Sequence, residues 1–375
     1  MSASPFLAVP GAVEAAGPDA GVPAHYGAPL LEQRRLAAGE AVVDLSNRAV
    51  IAVTGEDRLS WLHSLSSQDL LSLAPGRSAE TLFLDPSGRV EHAVRVLDDG
   101  ATTWLLLDPQ RASELVAWLE RMRFMLRVEI ADRSSDVAVV GSFGPGDAVH
   151  PLVSNGIPLV WQDTWPDVVG GGHGYAREHG EPWNAVETIV DGAELTRLAD
   201  AAATGTLPVA GSLAFEALRI AAWRPRFATE ADATTVPHEL DWLRTAVHMS
   251  KGCYRGQETV AKVHNLGHPP RRLVMLHLDG SVSSLPDPGA ELWERGDDER
   301  RPVGRVTSAA VHHELGPIAL AVVKRRTDPD ATLETESAGE IVAAAQQVIV
   351  PPDAGATASV PKLPRLGRVT RRPAR

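Results

Sequence analysis

The chain has 375 residues, 44% of them hydrophobic and 22% charged, with 48 acidic against 36 basic residues and one cysteine. Such a composition builds a core without metal or disulfide support, and a net charge of −12 argues against a general nucleic-acid binder, which needs clustered Lys and Arg. No apolar run reaches the roughly 18–20 residues of a membrane span, no signal peptide opens the chain, and a lone cysteine forms no internal disulfide, so a cytoplasmic protein without membrane contact is expected.

Residues 1–40, rich in Ala, Gly and Pro, read as an extended lead-in. Val50–Thr54 reads as a strand, and Thr54 and Asp57 have the spacing of a capping box for a helix carrying Leu59, Leu62 and Leu65. Pro75-Gly76 ends that unit. Three short strands follow at Leu82–Leu84, Val90–Val96 and Trp104–Leu107, separated by Asp85-Pro86-Ser87-Gly88 and Asp98-Asp99-Gly100. Asp108 is placed to cap the next helix, with Pro109 at its first position and Leu115, Leu119 and Met122 as its apolar stripe. Strands followed by a packing helix indicate an α+β layer and not a doubly wound sheet.

A second unit opens with the strand Val137–Val140. The glycines after it, Gly141, Gly144 and Gly146, superficially suggest a dinucleotide loop, but their spacing and Pro145 do not fit the fingerprint, and Gly170-Gly171-Gly172 reads as a plain loop. Ala214–Trp223 is a helix candidate with Phe215, Leu218 and Ala222 on one face. From Leu273 the pattern becomes short strands, Leu273–Leu278, Val303–Thr307, Ile318–Val323 and Ile341–Val350, the spacing of a small antiparallel barrel. Lys362, Arg365, Arg368, Arg371, Arg372 and Arg375, with no acid among them, mark a basic tail expected to be disordered and solvated.

Lys251-Gly252-Cys253-Tyr254-Arg255-Gly256-Gln257-Glu258 holds the chemistry. An isolated cysteine is ordinarily a small buried hydrophobe. Here its neighbours are charged or amide residues ill suited to a core, and Gly252 and Gly256 imply a tight turn with close backbone approach. The thiolate is the reactive form of a thiol, and a cation at Lys251 or Arg255 would favour it. The histidines do not have the spacing of a structural zinc site, and no metal is assigned. Trp223-Arg224-Pro225-Arg226-Phe227 reads equally as a platform for a flat ring with a carboxylate tail, or as a helix end packed on a neighbouring domain.

That octapeptide matches the Lys-Gly-Cys-Tyr/Phe-x-Gly-Gln-Glu motif of the YgfZ family, relatives of the glycine-cleavage T-protein, and the chain resembles that family from about residue 25 to 350. Val43-Asp44-Leu45-Ser46, Leu218-Arg219-Ile220, Val236-Pro237-His238-Glu239 and Gly304-Arg305-Val306-Thr307-Ser308 carry the rest of the likeness. The resemblance implies an α+β, aminomethyltransferase-like fold with two α/β subdomains around a channel and a C-terminal antiparallel β-barrel. It divides the chain into the lead-in 1–40, a folate-binding domain of 41–135 with 205–270, a second subdomain 136–204, the barrel 271–350 and the tail 351–375. It implies tetrahydrofolate as cofactor, iron–sulfur client or assembly proteins as partners, and support of enzymes that modify tRNA. Cys253 and Lys251 are the functional pair on this reading, and Arg219, Trp223, Arg226, Tyr254, Gln257 and Glu258 the folate contacts. Two features separate the chain from T-proteins: their acidic pair falls at Gly88-Arg89-Val90-Glu91-His92, and the glutamate that holds the pterin falls at Ala221. An aminomethyltransferase-like one-carbon transfer, using Glu91 or Glu230, is the alternative activity.

Overall fold

The computed structural model describes residues 3–144, 147–281 and 284–358. Among the described residues, two five-stranded sheets and a closed six-stranded barrel form the body of the fold, with two small two-stranded sheets beside them. The first sheet runs in the order Ser78–Leu84, Val90–Asp98, Thr102–Leu107, Ala49–Thr54, Glu129–Asp132, with every pairing antiparallel. Apart from the exposed edge strand Glu129–Asp132, its strands place buried apolar residues on both faces, so both faces are covered. On one side Ile51, Val53, Phe83 and Val94 pack against Trp61 and Leu62 of the helix Arg58–Leu65 and Leu115 and Leu119 of the helix Ala112–Arg123. On the other, Val50, Leu82, Leu84 and Leu106 enter a core shared with the second sheet, the helix Ser212–Ala221 and the barrel residues Leu273, Met275 and Leu320. Each such fully buried Leu or Ile contributes about 1.5–3 kcal/mol, so this shared core fixes how the three bodies meet.

The second sheet runs Val160–Gln162, Ala185–Asp191, Val137–Phe143, Val42–Asp44, Val209–Ala210. Val42–Asp44 pairs antiparallel with Val137–Phe143, and the expected boundary at residue 135 therefore cuts through a sheet. Three residues at 42–44 are too short to announce a strand, and only their partner reveals it. The lead-in is also not extended: it contains a helix at Pro29–Ala37, and Phe6 is completely buried beside Leu198 of the helix Gly192–Ala203.

The barrel expectation is confirmed, with Arg271–Leu278, Gly316–Lys324, Gly304–His312, Glu291–Glu294, Leu333–Ser337 and Glu340–Val348 closing in that order. Two strands, Glu291–Glu294 and Leu333–Ser337, escaped the sequence reading because each is short and carries two glutamates, which leaves too few apolar residues to mark it. Two expected caps do not form. The Asp57 carboxylate accepts from the backbone and guanidinium of Arg127, and Asp108 is drawn into an ion pair with Arg226. The predicted helix at 214–223 spans Ser212–Ala221, after which Trp223 turns to φ 59°. Residues 351–358 pack on the body, with Ala354 buried and Thr357 donating to His264 O, whereas tail residues 359–375 lie outside the described residues, as do Pro145 and Gly146.

Candidate functional site

Cys253 is exposed, on a turn that leads into the helix Gln257–Leu266. Gly256 caps that helix at φ 82°, and a Cβ there would come 2.6 Å from Asp85 O and 2.9 Å from Gly88 Cα. The Cys253 turn is thus laid against the tip of the hairpin joining Ser78–Leu84 to Val90–Asp98, and a side chain at Gly256 would separate them. Gly252 has open space where its Cβ would be, so the expected close approach belongs to Gly256 alone.

The neighbours of the thiol face different ways. Lys251 is buried and donates to the carbonyls of His63, Ser66 and Gln68, so it is not aimed at Cys253 as a paired cation. Burial pulls the Lys251 ammonium down to about 8, with Asp69 opposing. Tyr254 is also buried, its ring 5.2 Å from Lys251 Nζ, and burial pushes its hydroxyl above the ordinary tyrosine range. Arg255 pairs with Glu91 at 2.9 Å, and Gln257 Nε2 donates to Lys251 O at 3.3 Å. Glu258 is exposed.

Arg219, Trp223 and Arg226 are not brought to this turn. Arg219 donates to Glu230 at 2.9 Å, Glu216 at 2.8 Å and Ser308 of the barrel at 3.0 Å. Arg226 pairs with Asp108 at 2.7 Å and Asp19 at 3.0 Å. Between them Arg224 pairs with Glu80 and Asp163. Trp223 is buried, its indole N–H donating to Met275 Sδ at 3.0 Å. These side chains clamp the barrel and both sheets together, and a ligand contact would require breaking buried ion pairs. Of the two readings of residues 223–227, packing against a neighbouring body is the one realised. Although burial raises the Asp108 carboxyl, the guanidinium groups of Arg226 and Arg48 hold it well below the usual range.

Groups that could meet a polar ring lie beside this clamp. A narrow cleft, too tight to admit a water molecule, is lined by His92, Ala93, Leu107, Asp108, Arg111 and Phe227. His92 Nδ1, Arg111 Nε and Arg48 Nε are buried without a hydrogen-bond partner, whereas Glu187 ion-pairs with Arg48 Nη2 and Arg95 Nε at 3.2 Å each and Asp108 lies 3.8 Å from Arg48 Nη1. Burial, with Arg111 adding to it, pulls His92 down to about 4, so its ring is neutral at pH 7 and has one nitrogen to accept and one to donate. Sequence reading missed Arg48 and Arg95. The available sign was a charged residue in or beside a strand whose two faces are both apolar. A second polar group, Tyr175 Oη at 3.0 Å from His264 Nδ1 with the His173 ring 4.6 Å from that of His264, adjoins the same helix as the Cys253 turn. Among the described residues no group of three or more His, Cys, Asp or Glu is arranged to hold a metal ion.

The architecture is that of the glycine-cleavage aminomethyltransferase. The solved T-protein of Bartonella henselae superposes with a TM-score of 0.71 at 19% identity, over 91% of this chain and 94% of that one. Residues 271–352 match the glycine cleavage T-protein C-terminal barrel domain. In sequence the chain is 27% identical over 282 residues to a chloroplastic protein of Arabidopsis thaliana named as a transferase, covering 72% of this chain. It is 28% identical over 247 residues, 61% of this chain, to the mitochondrial iron–sulfur cluster assembly factor IBA57 homolog of Mycosarcoma maydis. The chain spans 62% and 55% of the length of those two relatives. An aminomethyltransferase of a Synechococcus strain is 27% identical over 311 residues, 79% of this chain and 82% of that one. No helix among the described residues is long and apolar enough to cross a membrane.

Proposed function

We propose that this protein is a tetrahydrofolate-binding accessory protein of YgfZ type, which supports the assembly or repair of iron–sulfur proteins, tRNA-modifying enzymes among them, through the thiol of Cys253. The observation that carries the proposal is a solvent-exposed thiol on the Lys251–Glu258 turn of a T-protein fold. Similarity to a named iron–sulfur cluster assembly factor supports it. Iron–sulfur client or assembly proteins would meet Cys253 from the solvent side, in the cytoplasm.

Aminomethyl transfer is disfavoured by two features. Glu91, at the place of the family's acidic pair, is held by Arg255, and Ala221 puts a methyl group, with neither donor nor acceptor, where T-proteins place the pterin-holding glutamate. A folate ring would instead have to open the cleft at Phe227, pairing with His92 Nδ1 and competing with Glu187 and Asp108 for the guanidinium groups of Arg48 and Arg95. The folate supplies a one-carbon carrier when bound. What this chain adds is a neutral imidazole and buried guanidinium groups that orient it, and a thiol displayed elsewhere.

The test is a binding titration with reduced and oxidised folates on wild type, Arg48→Met and Cys253→Ser, combined with iron–sulfur enzyme activities in cells lacking the protein. Arg48→Met is expected to weaken binding about tenfold or more, as loss of a charged hydrogen bond does. Cys253→Ser should bind folate normally and fail to restore the enzymes. Absence of folate binding by wild type, or full rescue by Cys253→Ser, refutes the reading. The similarity to aminomethyltransferases favours the second reading, one-carbon transfer, which turnover with tetrahydrofolate and a carrier protein would establish in its place.

A further inference from the structure

The turn bearing Cys253 is fastened to the segment that leaves the helix Arg58–Leu65. Lys251 Nζ donates to His63 O, Ser66 O and Gln68 O at 2.5, 2.6 and 2.9 Å. An ammonium has three N–H bonds and no lone pair, so these carbonyls exhaust it. His63 O and Ser66 O sit at the helix C-terminus, where carbonyls lack intrahelical partners and the helix end is partially negative, a place that favours a cation, and Gln68 O lies two residues beyond the cap. Further bonds run alongside. Ser67 Oγ donates to Ala246 O at 2.6 Å, Gln68 Nε2 to Thr245 O at 2.7 Å, and His248 N to Ser67 O at 3.0 Å. Gln257 reaches back to Lys251 O, so the far side of the turn is tied to the same lysine.

We propose that Lys251 is a positioning residue: its ammonium caps the exit of the helix Arg58–Leu65 and so seats the 251–256 turn with Cys253 outward, in place of acting on the thiol as a cation or proton donor. This rests on the reading that Cys253 is the working group. Two arguments favour it over the charge role. All three protons are committed to carbonyls, and the dipoles of those carbonyls oppose the field of the ammonium at any further group. In addition, Ser67 and Gln68 bond without carrying charge to residues 245–248, the stretch that leads into the turn, so the contact is built as a seam of which Lys251 is one stitch.

The two roles separate experimentally, because Cys253 is the only cysteine and labels uniquely in the full chain. Lys251→Met and Gln68→Leu are compared with wild type for iodoacetamide alkylation across pH and for amide exchange of residues 246–256. Capping predicts faster exchange in both, roughly tenfold or more for Lys251→Met and several-fold for the neutral Gln68→Leu, since bonds to charged groups are the stronger. It also predicts that the pH of half-limiting alkylation stays put in both proteins. A midpoint raised by about one pH unit in Lys251→Met, or exchange unchanged in either variant, overturns the proposal. If Lys251→Met does not accumulate, Lys251→Arg replaces it: charge is kept but three donors no longer leave one atom, so exchange must quicken if capping is the role. Neither measurement uses folate or an iron–sulfur enzyme, so failure here is distinguishable from failure of the functional reading.

Discussion

Gly256→Ala, paired with Gly252→Ala as its control, tests whether the Cys253 turn is seated on the hairpin tip. At Gly256 the backbone has φ 82°, which costs an L-residue about 1–2 kcal/mol. The added methyl would meet Asp85 O at 2.6 Å and Gly88 Cα at 2.9 Å, both backbone atoms unable to swing aside, and overpacking of that kind costs about 1–3 kcal/mol. The expected loss is therefore about 2–5 kcal/mol. Gly252 has nothing within 4 Å, and Ala there is expected within about 0.5 kcal/mol of wild type. Urea unfolding followed by tryptophan fluorescence reads both, as a lowered midpoint at constant slope for Gly256→Ala and little change for Gly252→Ala. Alkylation of Cys253 should also quicken in Gly256→Ala. A Gly256→Ala protein within 1 kcal/mol of wild type, or equal losses at both positions, would refute the reasoning.

Arg219→Met leaves the fully buried Glu230 carboxylate without its charged partner, while half-buried Glu216 keeps Arg226, and a loss of about 3–5 kcal/mol in urea unfolding is expected, partly recovered by adding Glu230→Gln; a loss below 1 kcal/mol would show the clamp to be dispensable. Asp108 is held below the ordinary aspartate range, so its contribution is present above about pH 4 and is lost as pH falls further. The gap in stability between wild type and Asp108→Asn should accordingly narrow from pH 7 to pH 3, and a constant gap would count against the ion pair with Arg226. His238 is fully buried and, chiefly through that burial, titrates at about 3, against about 6.5 in the unfolded chain. Because the unfolded chain takes up its proton first, stability should fall as pH drops from about 6.5 to 3, by up to about 1.4 kcal/mol per pH unit, and His238→Gln should flatten that slope. An unchanged slope in the variant would assign the titration to another group.

Much of the fold can be read from local pattern. Alternating apolar residues mark the first sheet and four of the barrel strands, because each must bury a face, and the apolar stripe at Leu115 and Leu119 places its helix. Met122, on the same stripe in sequence, is exposed near the end of that helix. The lead-in fails for a related reason. Pro29–Ala37 has little apolar pattern of its own, and buries Glu32 and Gln33 through hydrogen bonds to Gly211 N and Val311 O, partners nearly two hundred residues or more away.

The candidate site divides in the same way. The sequence by itself determines that Cys253 sits on a polar, glycine-bearing turn, since charged neighbours and Gly256 leave little choice. Which way Lys251 points, and that Arg219, Trp223 and Arg226 are spent on a clamp, is decided only by tertiary structure. A charged side chain goes where its charge is answered, and the carbonyls of His63, Ser66 and Gln68 and the carboxylates of Glu230 and Asp108 are brought into reach only when the sheets and barrel close on their common core.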